Sequence, residues 1–207
     1  MFPILGNHEY WNSGRSWFFS FFSLPNNEQW FAFTYGNVRF IGLDTNVSFY
    51  PDSPQYRWLE AELNSDAYKQ STWRIVYFHH PPFTASRYRD DPEVIQYLLP
   101  LFETGEVDMV FSGHAHAYER YAHHGIHYIV TGGGGTNLVN LAADTQAPLR
   151  LVGESVLHHC VLDVNVPDRS LTLSVQLNNG TTFDGLTLIK PVPDPNPGGV
   201  IDDPNSK

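Results

Sequence analysis

The sequence predicts an α/β protein, and three observations carry that expectation. Two apolar runs, Trp73–Phe78 and Val107–Ser112, have the length and composition of buried strands. A stretch with helical spacing, Pro92–Thr104, lies between them, with Val94, Ile95, Leu98, Leu99 and Phe102 on one side. Beyond Ser155 the pattern changes to strict alternation, as in antiparallel strands. Strand, helix, strand in that order is a crossover between parallel neighbours, so both strands end at the same edge of a sheet. His79-His80 follows the first strand and Gly113-His114-Ala115-His116 follows the second. In α/β sheets that edge is where ligands bind.

Taken in order, Met1–Leu5 reads as the end of a strand. Gly6-Asn7-His8-Glu9-Tyr10 reads either as a simple turn or as a site offering an amide oxygen and an imidazole. The segment from Tyr10 to Phe33 is dense in aromatic residues, which fits core packing under a long connection better than a ligand groove. Tyr35-Gly36-Asn37 is a hairpin turn and Val38–Asp44 a strand, with Asp44 read as capping the next loop. Residues Ser53–Ser65 carry Tyr56, Trp58, Leu59 and Leu63 at helical spacing.

After Phe78, Pro81 and Pro82 cannot join a ladder, so the chain leaves the sheet there. Thr84–Asp91 is a polar loop. Its Arg87 and Arg89 are either solvated charges or partners for a phosphate oxygen. Proline at the first turn suits the start of the helix at Pro92. His123, His124 and His127 read as ordinary rim or strand residues. Tyr128–Thr131 is a strand that runs into Gly132–Gly135. No Gly-Lys-Ser/Thr follows those glycines, which excludes a P-loop. Ser155–Val166, Ser170–Leu177 and a short strand near Phe183–Leu188 form an antiparallel meander. The Pro-, Asp- and Asn-rich stretch 191–207 reads as a disordered tail or linker.

Composition narrows the function classes. A formal net charge of −10 argues against a broad nucleic-acid-binding face. It leaves room for a small anionic substrate, because a bound metal reverses the local field. No apolar run reaches membrane-spanning length, and Met1–Leu5 lacks the basic region of a signal peptide. The single cysteine, Cys160, excludes an intrachain disulfide framework and a cysteine zinc site. It sits in an alternating run and reads as a small strand residue. Neutral imidazole is the commonest metal-ligating side chain. The crossover therefore makes His79, His114 and His116 candidate metal ligands, although a His-x-His pair also occurs on ordinary loops.

Gly-Asn-His-Glu at 6–9, Val-x-x-His at 76–79 and Gly-His-x-His at 113–116 together resemble the last three metal motifs of the calcineurin-like metallophosphoesterases. The purple acid phosphatase branch is the most similar. Tyr-Gly-Asn-Val-x-Phe at 35–40, Leu-Asp-Thr at 43–45, His-Ala-Tyr-Glu-Arg at 116–120 and the glycine run at 132–135 resemble it further. The resemblance spans residues 4–190 and implies a β-sandwich flanked by helices. It implies that Asn7, His79 and His114 bind one metal and that His116 binds a second. It implies that His8 contacts the phosphate and protonates the leaving oxygen, with His80 and Arg87 as further substrate contacts. The implied cofactors are two divalent or trivalent ions, iron with zinc, manganese or iron. The implied reaction is hydrolysis of phosphate monoesters, and of diesters too, without a covalent phosphoenzyme. No nucleic acid or membrane partner is expected.

The departures from the family pattern are equally specific. Members carry an Asp-x-Gly or Asp-x-His and a Gly-Asp-x-x-Tyr upstream of Gly-Asn-His, and this sequence begins five residues before Gly6. The expectation is a domain over 1–190 without its first strands and motifs, followed by the 191–207 tail. An exposed edge and an uncovered core should result. The loop after His79 also lacks the extra histidines of plant and animal members, and no tyrosine ligand is present to give a purple colour. A non-catalytic remnant binding at most one divalent metal is the alternative. The acidic charge and the sequons at Asn46 and Asn179 suit a secreted or periplasmic setting.

Overall fold

The computed structural model describes residues 1–143, 148 and 150–192, and every structural statement below concerns those residues. Two sheets pack face to face. The larger has seven strands in the order β1-β2-β3-β4-β6-β5-β7. These are β1 Phe31–Tyr35, β2 Val38–Gly42, β3 Trp73–Phe78, β4 Met109–Ser112, β5 Tyr118–His123, β6 Ile126–Thr131 and β7 Val152–Glu154. The smaller is an antiparallel meander of β8 His158–Asn165, β9 Ser170–Leu177 and β10 Thr182–Ile189. Helices α1 Gly14–Phe21, α2 Pro54–Leu63, α3 Asp66–Gln70 and α4 Leu99–Thr104 complete the fold.

The central strands β2, β3, β4 and β6 are all parallel. Period-two alternation sends their side chains to opposite layers. Trp73, Ile75 and Met109 join the core between the sheets with Leu171, Leu173 and Val175. Val76, Phe78 and Val110 join the helix-side core with Leu59, Leu63 and Phe102. A strand buried on both faces must be apolar throughout, which is why β3 and β4 are readable as continuous apolar runs.

Polar bonds fasten the two sheets at their margins. Asp184 on β10 accepts from Arg120 Nε at 2.7 Å and Nη2 at 2.9 Å, and from the Tyr118 hydroxyl at 2.6 Å. Lys190 donates to Asp108 at 2.7 Å, just beyond the end of β10. Beside β8, the outer strand of the smaller sheet, an apolar cavity of about 450 Å³ opens between the layers. Phe33, Phe40, Tyr77, Phe111 and Leu162 line it.

Local chemistry explains the helix starts. Ser53 caps α2 by accepting from the Tyr56 amide, and Pro54 follows at the first helical position. Ser65 does the same for α3 through Tyr68. Asp91 accepts from the amides of Glu93 and Val94 at 3.0 and 3.1 Å.

Several expectations are corrected. Met1–Leu5 joins no ladder: Leu5 is buried, but its carbonyl accepts from Asn46 Nδ2 at 3.2 Å and not from a strand. The helix expected over Pro92–Thr104 is broken in two. Val94–Leu98 is a π turn, closed by the Leu99 amide on the Val94 carbonyl, and α4 follows. Pro100 is the cause, because its ring has no N–H and crowds the carbonyl four residues back, which a wider turn relieves. The aromatic stretch contributes β1, which pairs in register with β2 from Phe31↔Gly42 to Tyr35↔Val38. Strands β5 and β7 were not expected. Of the stretch 191–207, all beyond Val192 lies outside the described residues.

Candidate metal centre

Three chain segments meet at the carboxyl edge of the parallel strands. Strand β3 delivers His79 and His80, and β4 delivers Gly113 and His114. Pairing of the two strands ends at Phe78↔Ser112 and is carried one step further by the Gly113 amide on the His79 carbonyl at 3.0 Å. The third segment is a 3₁₀ turn, Asn7–Tyr10. Glu9 folds back so that its carboxylate accepts the Gly6 amide at 2.8 Å. A Cβ at Gly6 would lie 2.9 Å from the His79 ring, so glycine lets the turn approach that ring.

The polar atoms converge. Asn7 Oδ1 lies 2.8 Å from His79 Nε2, which lies 3.1 Å from His114 Nδ1. His114 adopts φ 62°, an uncommon conformation for a residue with a side chain and one that clusters at functional sites. The His79, His80 and His114 rings are mutually 4.8–4.9 Å apart. Each offers one nitrogen, and these atoms all lie within 4.8 Å of one another. Thr45 orients the third ring, with Oγ1 2.8 Å from His80 Nδ1.

Burial, reinforced by the neighbouring imidazoles, pushes His79 down to about 3 and His114 to about 4, and burial lowers His80 as well. All three are therefore neutral near pH 7, with ring lone pairs free to bind a cation. An amide oxygen and imidazole nitrogens this close form a donor set that fits one divalent ion of the zinc or iron class. Among the described residues the group holds three imidazoles and no carboxylate.

The other residues singled out from the sequence are placed differently. His116 stands outside the three-imidazole group, its Nδ1 2.9 Å from the Asn137 carbonyl. His8 is exposed and rests on Trp11, with ring centroids 4.1 Å apart. Arg87 is exposed and lies over Tyr88 at 5.2 Å from the ring centre. Tyr88 itself packs 4.5 Å from His114 and 5.8 Å from His116, so it roofs the cluster where Arg87 does not reach it directly. Asp44 keeps the loop role expected of it. It is fully buried, accepts the Asn46 amide at 3.0 Å, and is hydrogen-bonded by the Tyr10 hydroxyl.

Glycine also shapes the rim. A Cβ at Gly132 would fall 2.0 Å from the Ala115 carbonyl, so the end of β6 passes directly beneath the His-x-His loop.

A sequence profile of calcineurin-like phosphoesterases matches residues 1–118, more than half of the chain. The chain belongs to the calcineurin-like phosphoesterase family. Its relatives lie in the purple acid phosphatase branch of that family. "Probable purple acid phosphatase 20" of Arabidopsis thaliana is 30% identical over 159 residues, covering 70% of this chain and 37% of the relative. Among solved structures, a purple acid phosphatase from yellow lupin seeds superposes with a TM-score of 0.74 at 21% identity. That match covers 81% of this chain and 34% of the lupin chain. The Plasmodium inner-membrane-complex anchor GAP50 shares the fold at TM-score 0.67 and 23% identity, covering 81% of this chain and 56% of its own. The calcineurin-like phosphoesterase described here thus spans about a third of the length of the two phosphatases. No helix among its described residues is long and apolar enough to cross a membrane.

Proposed function

We propose that this chain contributes to metal-dependent hydrolysis of phosphate esters, with Asn7, His79 and His114 holding one ion. The observation that supports this reading is the convergence of Asn7 Oδ1, His79 Nε2 and His114 Nδ1 at the strand ends. A divalent or trivalent ion held there supplies Lewis acidity to a phosphoryl oxygen and to the attacking water. His116, on the same loop, is the residue assigned to a second ion, which makes the reading dinuclear.

The chain's own side chains account for the remaining roles. His8, exposed beside the cluster, donates a proton to the leaving alcohol oxygen. His80, its Nδ1 fixed by Thr45, and Arg87, carried on Tyr88, contact the phosphate oxygens. Arginine suits that task because its planar fork pairs with two oxygens at once. No serine or cysteine nucleophile is needed, because water attacks the phosphorus directly. Purple acid phosphatase relatives support a phosphomonoester substrate, diesters being the wider possibility. Iron paired with zinc, manganese or iron is the metal content proposed, and a secreted or periplasmic setting goes with that branch.

One observation favours a second reading. The three-imidazole group carries no carboxylate among the described residues, which suits a chain that binds a single divalent ion without turnover. Metal stoichiometry at the cluster, counted as the ions the 207-residue chain loses on His79→Ala with His114→Ala, paired with hydrolysis of chromogenic mono- and diesters by the unaltered chain, separates the two. Two ions with turnover support the phosphoesterase. One ion without turnover supports the binding protein, and no ion at all overturns both.

A further inference from the structure

A second group of ligand-type side chains lies far from the first. Glu103 on α4 and His123 and His124 at the tip of the β5–β6 hairpin each offer one atom, all within 4.8 Å of one another. The hairpin tip sits at the opposite edge of the sheet. His123 pairs with Ile126, and the next residue, His127, pairs with Met109 at the start of β4. His114, by contrast, follows the end of that same strand.

Consecutive strand residues point to opposite faces, which would separate His123 from His124. The turn prevents this. His124 at φ 48° and Gly125 at φ 82° form a tight left-handed connection. The bend lays the His124 imidazole on that of His123, with ring centroids 3.9 Å apart and planes 20° apart. Glu103 Oε1 lies 2.8 Å from His124 Nδ1. The Phe83 ring packs edge-on against His123 at 5.5 Å and gives the group an apolar wall. The side chains of His124 and Glu103 are 63% and 33% exposed, so the outer side is open to water.

We propose that Glu103, His123 and His124 form a second metal site, for a borderline divalent ion such as Zn²⁺. Two imidazoles and one carboxylate are a zinc donor set, and an open fourth position is filled by water. At zinc–ligand distances of about 2.0–2.2 Å, tetrahedral donors stand about 3.3–3.5 Å apart. Side-chain rotation brings atoms within 4.8 Å to that spacing. Binding replaces the contact between His124 Nδ1 and Glu103 Oε1 with bonds from both side chains to the ion. The bound ion ties the end of α4 to the hairpin.

The test uses the full chain. His79→Ala and His114→Ala together remove the ligands proposed for the other site. Zn²⁺ is then titrated calorimetrically, before and after adding His124→Asn or Glu103→Gln. Asparagine is chosen because it accepts the left-handed turn. The expected result is one equivalent of zinc bound at micromolar free ion, with affinity falling about tenfold or more in either added variant. No binding at micromolar zinc, or the same affinity after His124→Asn, overturns the site. A parallel measurement does not depend on the double variant folding. Zinc-loaded chain of unaltered sequence should lose one equivalent when only His124→Asn is introduced, and an unchanged metal count overturns the proposal.

Discussion

His79 and His114, 35 residues apart in sequence, stand with ring nitrogens 3.1 Å from each other. The crossover between β3 and β4 produces that proximity, and burial keeps both rings neutral. Removing either should therefore dismantle a binding site and leave the sheet intact. His114→Ala is expected to weaken metal binding by more than the about 10- to 100-fold that an outer-shell partner costs. Elemental analysis after gel filtration checks it, and full metal retention would sink the assignment of His114 as a ligand.

His8→Ala tests the proton donor separately from the metal. His8 is exposed and makes no hydrogen bond to Asn7, His79 or His114. Metal content should stay at the unaltered level, while turnover of a poor leaving group falls about 10²- to 10⁴-fold. Aryl esters, whose leaving groups need no proton, should suffer less. Equal losses on both substrates would remove His8 from the role of acid.

Gly6→Ala places a methyl group 2.9 Å from the His79 ring. The ring or the turn must shift, at a cost of about 1–3 kcal/mol. Chemical denaturation should register that loss, and metal affinity should fall with it because Asn7 is displaced. An alanine variant with unchanged metal affinity would show that the turn has slack.

Glu119 is completely buried, and its carboxylate accepts from the Ala85 amide at 2.8 Å and the Tyr121 hydroxyl at 2.8 Å. The Thr84 hydroxyl and Arg150, at 2.5 and 3.3 Å, complete its shell. Glu119→Ala strands these groups, and breaking such a buried network costs about 3–5 kcal/mol. Urea denaturation measures this. The loop after His79 should also become protease-sensitive, because Thr84 and Ala85 lose their anchor.

Asp184 contributes stability that acid removes. Burial alone would raise its carboxyl, but the hydrogen bonds from Arg120 and Tyr118 outweigh burial and hold it below the usual range. A carboxylate depressed on folding contributes stability that is fully present above the unfolded-state value of about 3.9. That contribution fades as pH falls from there through the lower folded-state value. Asp184→Asn should therefore lower the melting temperature near pH 7 and lose less than the unaltered chain on acidification. Parallel melting curves down to pH 3 would refute the assignment.

Legibility in the sequence followed physical rules that act locally. Strands β3 and β4 are buried on both faces, so their apolar runs stand out, and the meander alternates because one face meets water. That His79 and His114 fall at neighbouring strand ends was readable from the crossover, whereas Asn7 was joined to them only through the family motif. Strand β5 was hidden because its sequence, Tyr-Glu-Arg-Tyr-Ala-His, is polar, although Glu119 within it is buried. A buried carboxylate is tolerated only where donors converge from distant segments, and that convergence has no local signature. Tyr88 was missed for a similar reason. Its place over His114 depends on the fold of an entire loop. The π turn could have been inferred from Pro100 within an otherwise regular helical pattern.

The strand order places β6 between β4 and β5, so Gly113–Ala117 must vault across the end of β6. That span is two interstrand spacings, about 9.6 Å. It is anchored at one end by Gly113 on the His79 carbonyl and at the other by Gly132 on the Ala117 carbonyl. The His-x-His segment is thus a bridge tied at both ends and drawn in by tight turns, the Ala115 amide on the Gly113 carbonyl and the Ala117 amide on the Ala115 carbonyl. A residue added to or taken from it would move His114 or His116 off target, and natural or engineered length variation should fall elsewhere on the rim.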